Sequence, residues 1–284
     1  MKTFFTLLSS LMVSFLFIGG DIQQNDELIP NASFSQQNDF ESLTDEHVVI
    51  LNYHDLVDGE PESMSQLHVN DFKKQMQYLY DEGYRTLSLE ELMAFHKKGY
   101  FPEKSVVITF DDGYLSFYNK AYPIFEKFKF KATVFPVVSL TPGLERRIVW
   151  QDHLTFHHMR LMDDSLISIG SHTYDLHFFN DDEPAIIRTS AEEEISYVNR
   201  IENDLSLSKD LLEMQTDRNI FALAWPYGVF TDTTKEIAKD LNFKLLFTIT
   251  EEPMTINSSL DEIPRYSITF TIEEFVNLLT SIRE

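Results

Sequence analysis

Residues 106–113 read VVITFDDG, and this stretch decides the fold class. β-Branched and aromatic residues run without a break into two aspartates and Gly113, a pattern typical of a parallel strand buried on both faces. Neighbouring side chains of a strand point to opposite faces, so Asp111 and Asp112 can share one site only where the strand gives way to a loop. Because two nearby carboxylates repel each other, such a pair needs a cation or a shared proton. An exposed Asp-Asp-Gly turn is the alternative.

Similar apolar segments lie on both sides of this strand and alternate with helical patterns. The predicted strands cover residues 48–52, 84–87, 106–110, 132–138, 166–170, 220–225, 244–249 and 263–268. The predicted helices cover residues 70–82, 118–128 and 191–214, and three more begin at Ser88, Thr231 and Thr271. About seven or eight βα units without a linker favour an α/β barrel over an open sheet, with functional groups at the strand ends.

A second strand end carries two histidines. Residues 166–170 are followed by SHTYDLH at 171–177, which places His172 and His177 directly after an apolar segment. Neutral imidazoles are common metal ligands, and together with Asp112 they make a set of two histidines and one carboxylate with positions open for water. This set favours Zn²⁺ and leaves Co²⁺, Ni²⁺ and Mn²⁺ open, because the ligands alone do not fix the ion. Two structural histidines without a metal are the alternative.

Two further patterns carry weaker signals. Residues 222–228 read ALAWPYG, an apolar strand that ends in an aromatic turn; Trp225 there suits either a sugar ring or core packing. His153 and His157 have the i, i+4 spacing of a helical metal site. No glutamate lies between them and no strand end is involved, so we expect a solvated helix face instead.

The N-terminal region is predicted to be an export signal followed by a spacer. Residues 1–20 contain a single charge, Lys2, and an apolar run from Phe4 to Ile18 that closes on two glycines. The run is short for a membrane span, which takes about 20 apolar residues, and it favours a cleaved signal peptide over an uncleaved anchor. Residues 21–46 are polar and are expected to be disordered. The folded domain is therefore expected over residues 47–284, without a transmembrane segment after cleavage.

The composition excludes some classes of binding partner and some types of metal ligand. The chain has 23 Lys and Arg against 46 Asp and Glu, a formal charge of −23, which disfavours binding to nucleic acid and anionic lipid. It contains no cysteine, so any metal site must use histidine and carboxylate. An exported chain without disulfides suits a Gram-positive bacterium, and we expect a secreted monomer associated with the cell wall or cell surface.

Three motifs, in their order along the chain, resemble the polysaccharide deacetylase family, also called carbohydrate esterase family 4 or the NodB homology domain. They are TFDDG at 109–113, SHT at 171–173 with His177, and WPYG at 225–228. The resemblance covers about residues 48–268 and implies a distorted (β/α)₇ barrel that removes acetyl groups from N-acetylated sugars with a bound metal. It implies that Asp111 is the general base, that Asp112, His172 and His177 are the metal ligands, and that the backbone N–H of Tyr227 is an oxyanion donor.

The chain departs from the common family pattern in three ways. His172 and His177 are five residues apart rather than four. The third motif lacks the arginine that usually orients the base, and Arg265 is the candidate replacement; Trp225 and Arg265 are also retained as candidate substrate-binding residues. No histidine follows His177, so the usual C-terminal general acid is missing.

His54, at the end of the first predicted strand, is the candidate general acid. The Tyr-His pair at 53–54 and the five-residue histidine spacing resemble the exported subgroup that N-deacetylates poly-β-1,6-N-acetyl-D-glucosamine in biofilms, where a first-strand histidine is the acid. A packed structural histidine is the alternative. Peptidoglycan and chitin oligosaccharides are the rival substrates. A two-carboxylate glycosidase, a non-haem iron oxygenase and a catalytically silent glycan-binding protein are the remaining classes.

Overall fold

The computed structural model describes residues 44–144 and 151–282. The predicted signal peptide and nearly all of the predicted spacer lie outside the described residues. Thr44–Asp45 forms a short strand that pairs antiparallel with Phe101–Pro102. Two residues near the end of the predicted spacer are therefore part of a strand.

The principal strands follow the predicted order along the chain. They are β1 (His47–Tyr53), β2 (Ser105–Asp112), β3 (Ala132–Pro136), β4 (Ile167–Ile169), β5 (Ala222–Ala224), β6 (Leu245–Phe247) and β7 (Tyr266–Ser267). Shorter strands are Asp55–Val57, Gln66–His68, Arg85–Thr86, Phe179–Asn180, Glu183–Pro184 and Met254–Thr255.

The sheet is mixed rather than a continuously hydrogen-bonded barrel. Strands β7, β1, β2, β3 and β4 pair in parallel in that order, and Met254–Thr255 joins β1 antiparallel. Strands β5 and β6 form a separate parallel pair. Isolated bridges connect Ser171 with Leu223 and Phe247 with Ile263. Among the described residues the fold class is therefore α/β, and the ladder pairing does not close the barrel that the sequence predicts.

The helices lie between these strands. They are α1 (Val69–Asp81), α2 (Leu89–Lys98), α3 (Tyr122–Phe128), α4 (Phe156–Leu161), α5 (Glu194–Thr216), α6 (Asp232–Asp240) and α7 (Ile272–Ser281). Capping boxes begin α2 at Ser88 and α7 at Thr271, as predicted, and satisfy N–H groups that a helix start leaves free. None of the helices in the described part of the chain is long and apolar enough to cross a membrane.

Strand β2 is buried along its whole length, and its alternation sets up the site. Val106, Ile108 and Phe110 belong to the larger core cluster, which includes residues of α1 and α3, whereas Val107 packs in a second cluster with residues of β3, β5 and β6. Since side chains alternate along a strand, Thr109 and Asp111 follow Val107 on the face toward the second cluster. The strand thus delivers a carboxylate to the interior face of the sheet.

Candidate active site

Asp112, His172 and His177 converge at the ends of strands β2 and β4. Asp112 Oδ1 lies 3.5 Å from His172 Nε2 and 3.3 Å from His177 Nε2. One ligand atom from each residue falls within 4.8 Å of the other two. Asp112 and His172 are buried, and His177 is partly exposed. The structure therefore brings together the three residues predicted as metal ligands.

The backbone at the end of β2 explains how two adjacent aspartates serve one site. Asp112 has φ +67° and Gly113 has φ +76°, so the chain leaves the extended conformation at Asp112. A Cβ atom on Gly113 would lie 2.7 Å from Pro136 Cβ, which excludes any other residue without a backbone shift. The left-handed turn releases Asp112 from the strand alternation, as predicted, and aims its carboxylate at the histidines.

His172 is held with one ring nitrogen committed and the other free for a ligand. Its Nδ1 lies 2.8 Å from the carbonyl oxygen of Ala224, so Nδ1 carries the proton and Nε2 presents a lone pair toward Asp112. Burial lowers the pKa of His172 to about 4, and the imidazole is therefore neutral near pH 7. His177 packs its ring 4.5 Å from that of Tyr227, with Nδ1 3.4 Å from the tyrosine hydroxyl.

These residues fit a divalent metal. Asp112 Oδ1 is buried and has no hydrogen-bond partner, a costly arrangement for a carboxylate oxygen unless a cation completes it. Ligand atoms about 2.0–2.1 Å from a tetrahedral Zn²⁺ stand roughly 3.3 Å apart. The observed separations of 3.3 and 3.5 Å match that spacing. Donor chemistry and geometry thus agree on a hard or borderline cation with nitrogen and oxygen ligands.

Asp111 has a different environment, dominated by Arg265. Arg265 donates from Nη1 to Asp111 Oδ1 and from Nη2 to Oδ2, both at 2.8 Å, and Asn52 Nδ2 donates to Oδ2 at 3.1 Å. Burial raises the pKa of Asp111, but the charge and hydrogen bonds of Arg265, together with the charges of His172 and His54, outweigh it and hold the pKa well below its usual range. Asp111 is therefore an oriented, ionised carboxylate beside the metal ligands.

Arg265 makes the contact predicted for a replacement of the missing family arginine. It is fully buried, with its guanidinium 5.8 and 5.7 Å from the ring centres of Phe135 and Phe247 and its Nε donating to the carbonyl oxygen of Thr248 at 2.9 Å. A side chain enclosed in this way does not reach a substrate. Its burial contradicts the assignment of Arg265 as a substrate-binding residue, and the contact it makes is with Asp111.

Trp225 is likewise unavailable to a sugar. Its side chain is fully buried and packs near Phe230, with ring centres 6.2 Å apart. Of the two interpretations of the aromatic turn, core packing is the one that the structure bears out. The prediction that Trp225 binds substrate is wrong because its ring faces are covered by the fold.

His54 and Tyr227 lie beside the candidate metal centre. His54 follows Tyr53, which pairs with Phe110, so His54 reaches the same sheet edge as Asp111 and is partly exposed. It is close enough to Asp111 to interact with its charge. Tyr227 has φ +58° in a turn against His177. The roles of His54 as acid and of the Tyr227 N–H as oxyanion donor remain predictions.

Sequence reasoning missed three polar residues in the surroundings of the aspartates. Asn52 is fully buried; it donates to Asp111 and accepts from Arg265 Nη1 at 3.0 Å. Thr109 Oγ1 donates to Asn52 Oδ1 at 3.2 Å and accepts from Arg265 Nη1 at 3.2 Å. The Tyr114 hydroxyl hydrogen-bonds Asp112, and burial raises the pKa of this tyrosine. The available signal was an asparagine inside the apolar run at 48–53, two residues before His54.

The competing histidine pair does not form a helix face. Helix α4 begins at Phe156, so His153 precedes it, and His153 is buried with Nδ1 2.9 Å from the carbonyl oxygen of Gln151. Its ring lies 5.0 Å from that of Tyr114. In the part of the chain that the structure describes, the one cluster with metal-binding geometry is Asp112, His172 and His177. The prediction that His153 belongs to a solvated helix face is therefore wrong, because His153 is buried and precedes the helix.

Comparison with known proteins places this site in a family. Residues 98–246, a little over half of the chain, match the family model described as polysaccharide deacetylase. Poly-beta-1,6-N-acetyl-D-glucosamine N-deacetylase of Escherichia coli strain K12 is 28% identical over 96% of this chain and 45% of its own length. The protein of that name from Staphylococcus aureus strain MSSA476 is 29% identical over 70% of this chain and 66% of its own length.

A solved structure agrees with the sequence match. The Streptococcus pyogenes deacetylase PplD, solved in complex with acetate, superposes with a TM-score of 0.69 at 30% identity, over 84% of this chain and 98% of that chain.

 The chain spans about half the length of the E. coli relative and about two thirds of the S. aureus one. The matched region contains Asp111, Asp112, His172 and His177. On the family match and the geometry together, this chain belongs to the polysaccharide deacetylase family.

Proposed function

We propose that this protein is a metal-dependent N-deacetylase that hydrolyses the acetamido groups of poly-β-1,6-N-acetyl-D-glucosamine and releases acetate. The observation that carries the proposal is the buried Asp112 oxygen between two histidines, next to a carboxylate held ionised by Arg265. The names of the E. coli and S. aureus relatives support this choice of polymer. Peptidoglycan and chitin oligosaccharides are the rival substrates within the family.

We further propose that strands β1 to β7 form a distorted (β/α)₇ barrel with this site at the carboxyl ends of its strands. Two isolated bridges support the proposal, because they link β4 to β5 through Ser171 and Leu223 and link β6 to the segment before β7 through Phe247 and Ile263. Catalytic groups of such barrels come from the carboxyl ends of several strands. His54, Asp111 and His172 follow or end three different strands here.

Asp112, His172 and His177 would hold the metal, with Zn²⁺ proposed and Co²⁺, Ni²⁺ or Mn²⁺ as alternatives. A bound divalent ion supplies Lewis acidity, which polarises the acetyl carbonyl and lowers the pKa of a water molecule. Asp111 accepts the proton of the attacking water, and its pairing with Arg265 keeps it ionised and correctly oriented for that transfer. Asn52 fixes the second oxygen of the same carboxylate.

His54 and Tyr227 serve the two remaining steps, protonation of the leaving nitrogen and stabilisation of the carbonyl oxygen. The amide nitrogen leaves as a poor anion unless it is protonated, and His54 lies at the sheet edge from which it can donate that proton. The backbone N–H of Tyr227 stabilises negative charge on the carbonyl oxygen, and loss of one such donor typically lowers the rate by about 10²–10³-fold. The products are acetate and a polymer that carries free, cationic amines.

We also propose that the protein is secreted and works as a monomer at the cell wall or surface of a Gram-positive bacterium. The apolar run at residues 4–18 supports export, and the lack of cysteine in an exported chain suits a Gram-positive bacterium. The formal charge of −23 suits an enzyme whose product is a polycation. Fractionation of the native host into wall, membrane and medium, with an antibody against the chain, tests this placement; recovery in the cytoplasm would contradict it.

Acetate release from three polymers tests the proposed function. The chain is incubated with β-1,6-linked N-acetylglucosamine polymer, peptidoglycan and chitin oligomers, with and without chelator, and Zn²⁺ is then added back. We expect release from the β-1,6 polymer, loss of release with chelator and recovery with Zn²⁺. Activity that survives chelation would favour a glycosidase, and polymer binding without acetate would indicate a silent glycan-binding protein.

A further inference from the structure

The segment that carries both histidines, residues 171–177, is here called the histidine loop. Thr173 in this loop has φ +71°, a left-handed conformation that β-branched residues rarely adopt. A strained residue between two ligands persists only when surrounding contacts impose its conformation. The loop therefore needs an external support that fixes where His172 and His177 point.

Helix α5 supplies contacts of this kind through Asp204. One carboxylate oxygen of Asp204 accepts the backbone N–H of Tyr174 and the other accepts the N–H of Asp175, both at 2.8 Å. Two adjacent N–H groups of the loop are thus bound by one side chain. Because both oxygens are used, the contact fixes the orientation of the peptide units between the histidines as well as their position.

Ser208 adds a second contact one helical turn further along α5. It is fully buried, and its Oγ lies 2.7 Å from Ser171 Oγ. Ser171 Oγ in turn accepts the backbone N–H of Thr173 at 3.0 Å. Residues four apart lie on the same face of a helix, so Asp204 and Ser208 approach the loop together.

Apart from Arg200, one helical turn earlier, whose charge also favours the ionised form of Asp204, the neighbours of Asp204 on this helix face are mainly apolar. The buried residues of α5 are mainly apolar: Tyr197, Ile201, Leu205 and Leu212. Burial raises the pKa of Asp204 to about 6, although the two N–H groups favour its charged form. An acid kept at a partly desolvated position on an apolar face is most simply explained by the loop that it binds.

We propose that Asp204 and Ser208 are positioning residues that preset the histidine loop for metal binding. The inference rests on the proposed function, because it assumes that His172 and His177 bind a divalent ion with Asp112. Neither residue is among the three proposed metal ligands. Their contacts hold the loop in the conformation from which both Nε2 atoms face Asp112.

The test measures metal affinity in the full chain rather than activity alone. Zn²⁺ competition with a chromophoric chelator is compared for the wild type, Asp204→Ala, Asp204→Asn and Ser208→Ala. We expect Asp204→Ala to weaken Zn²⁺ binding by about 10–100-fold, as loss of a group that orients metal ligands typically does. Asp204→Asn should recover part of the affinity, because its single carbonyl oxygen can still accept one N–H, and Ser208→Ala should have the smaller effect.

Asp210→Ala is the matched control, since this acid lies on the same helix but is exposed and accepts only a 3.4 Å hydrogen bond from Ser206. The visible spectrum of the Co²⁺-loaded protein reports coordination geometry and should change in Asp204→Ala but not in Asp210→Ala. Unchanged affinity and spectrum in folded Asp204→Ala or Asp204→Asn would overturn the inference. A wild type that binds Zn²⁺ but releases no acetate would remove the proposed function and leave this inference standing.

Discussion

Asp111 and Asp112 are neighbours in the chain, and their environments are opposite. Both oxygens of Asp111 are bound by Arg265, and Asn52 adds a third hydrogen bond. Asp112, by contrast, has a buried oxygen without a partner, which lies between two imidazoles. The difference teaches that a carboxylate's role is set by what already pairs with it: the satisfied one is placed to move protons, and the unsatisfied one needs a cation.

The first prediction concerns Asp112, whose buried oxygen has no partner, and the two histidines beside it. It has the largest expected effect. Asp112→Ala, His172→Ala and His177→Ala should each abolish tight metal binding and reduce acetate release to background, because two remaining ligands hold an ion poorly. Metal content after dialysis and acetate release check this together. His157→Ala, at an exposed histidine, is the control. Stoichiometric metal in all three variants would end the ligand assignment.

The second prediction changes Asp111, the aspartate whose two oxygens are already hydrogen-bonded. Asp111→Asn should lower kcat by about 10²–10⁴-fold, the usual contribution of a general base, while metal content stays at the wild-type level. The amide keeps the size of the carboxylate but cannot accept the proton of the attacking water. Metal analysis and steady-state kinetics on the same preparation separate the two aspartates. A near-normal kcat would remove Asp111 from the role of base.

The third prediction concerns Arg265, the guanidinium that pairs with Asp111. Arg265→Gln should raise the pKa of Asp111, because burial then acts without the guanidinium, and so should move the acidic limb of the kcat/KM profile to higher pH. Arg265→Lys keeps the charge but not the two-pronged contact, and its limb should move less. A pH profile of kcat/KM for each variant measures the shift. Identical acidic limbs in all three proteins would contradict the proposed control of Asp111 by Arg265.

The fourth prediction tests His54, the proposed general acid, which follows strand β1. His54→Ala should lower kcat by about 10²-fold with metal content unchanged, because the leaving nitrogen loses its proton donor. His96→Ala is a control at a histidine on α2, away from the site. Unchanged kinetics in His54→Ala would show that the proton comes from another group.

The sequence predicted the surroundings of Asp112 more fully than those of Asp111. Asp112, His172 and His177 follow apolar strands, and strand ends meet at one edge of a parallel sheet, so their convergence could be inferred from local pattern. The environment of Asp111 could be inferred only in part, because Arg265 and Asn52 lie 154 and 59 residues away in the chain. Such contacts depend on tertiary packing, which local periodicity does not encode.

Tertiary packing and element boundaries account for the remaining differences between the predictions and the structure. Trp225 and Arg265 are residue types that bind sugars when exposed, and only the packed structure shows that both are enclosed. His153 has helical spacing to His157, but α4 begins after it at Phe156. The structure supports the α/β class of the predicted distorted barrel, but single bridges take the place of continuous ladders on both sides of the β5–β6 pair. Spacing indicates what side chains can do, and packing decides which of them can be reached.

The smallest predicted effect concerns the stability of the metal-free protein. It depends on His172, one of the two histidines beside Asp112. Burial lowers the pKa of His172 to about 4 from an ordinary value of about 6.5. As the pH falls below 6.5 the unfolded chain takes up a proton that the native state refuses, so stability decreases. Between pH 7 and 5.5 the free energy of unfolding should fall by about 1 kcal/mol from this group.

Asp204 acts in the opposite direction over part of the same range. Its native pKa is raised to about 6, so the folded state gains a proton as the pH falls and is stabilised. The contribution of His172 is therefore read as the difference between urea unfolding of the wild type and of His172→Gln, both without metal, at pH 7 and 5.5. The variant should lose the His172 part of the slope and keep that of Asp204. Equal slopes would show that His172 is protonated as easily in the native site as in water, and the neutral imidazole that metal binding requires would then have no support from the fold.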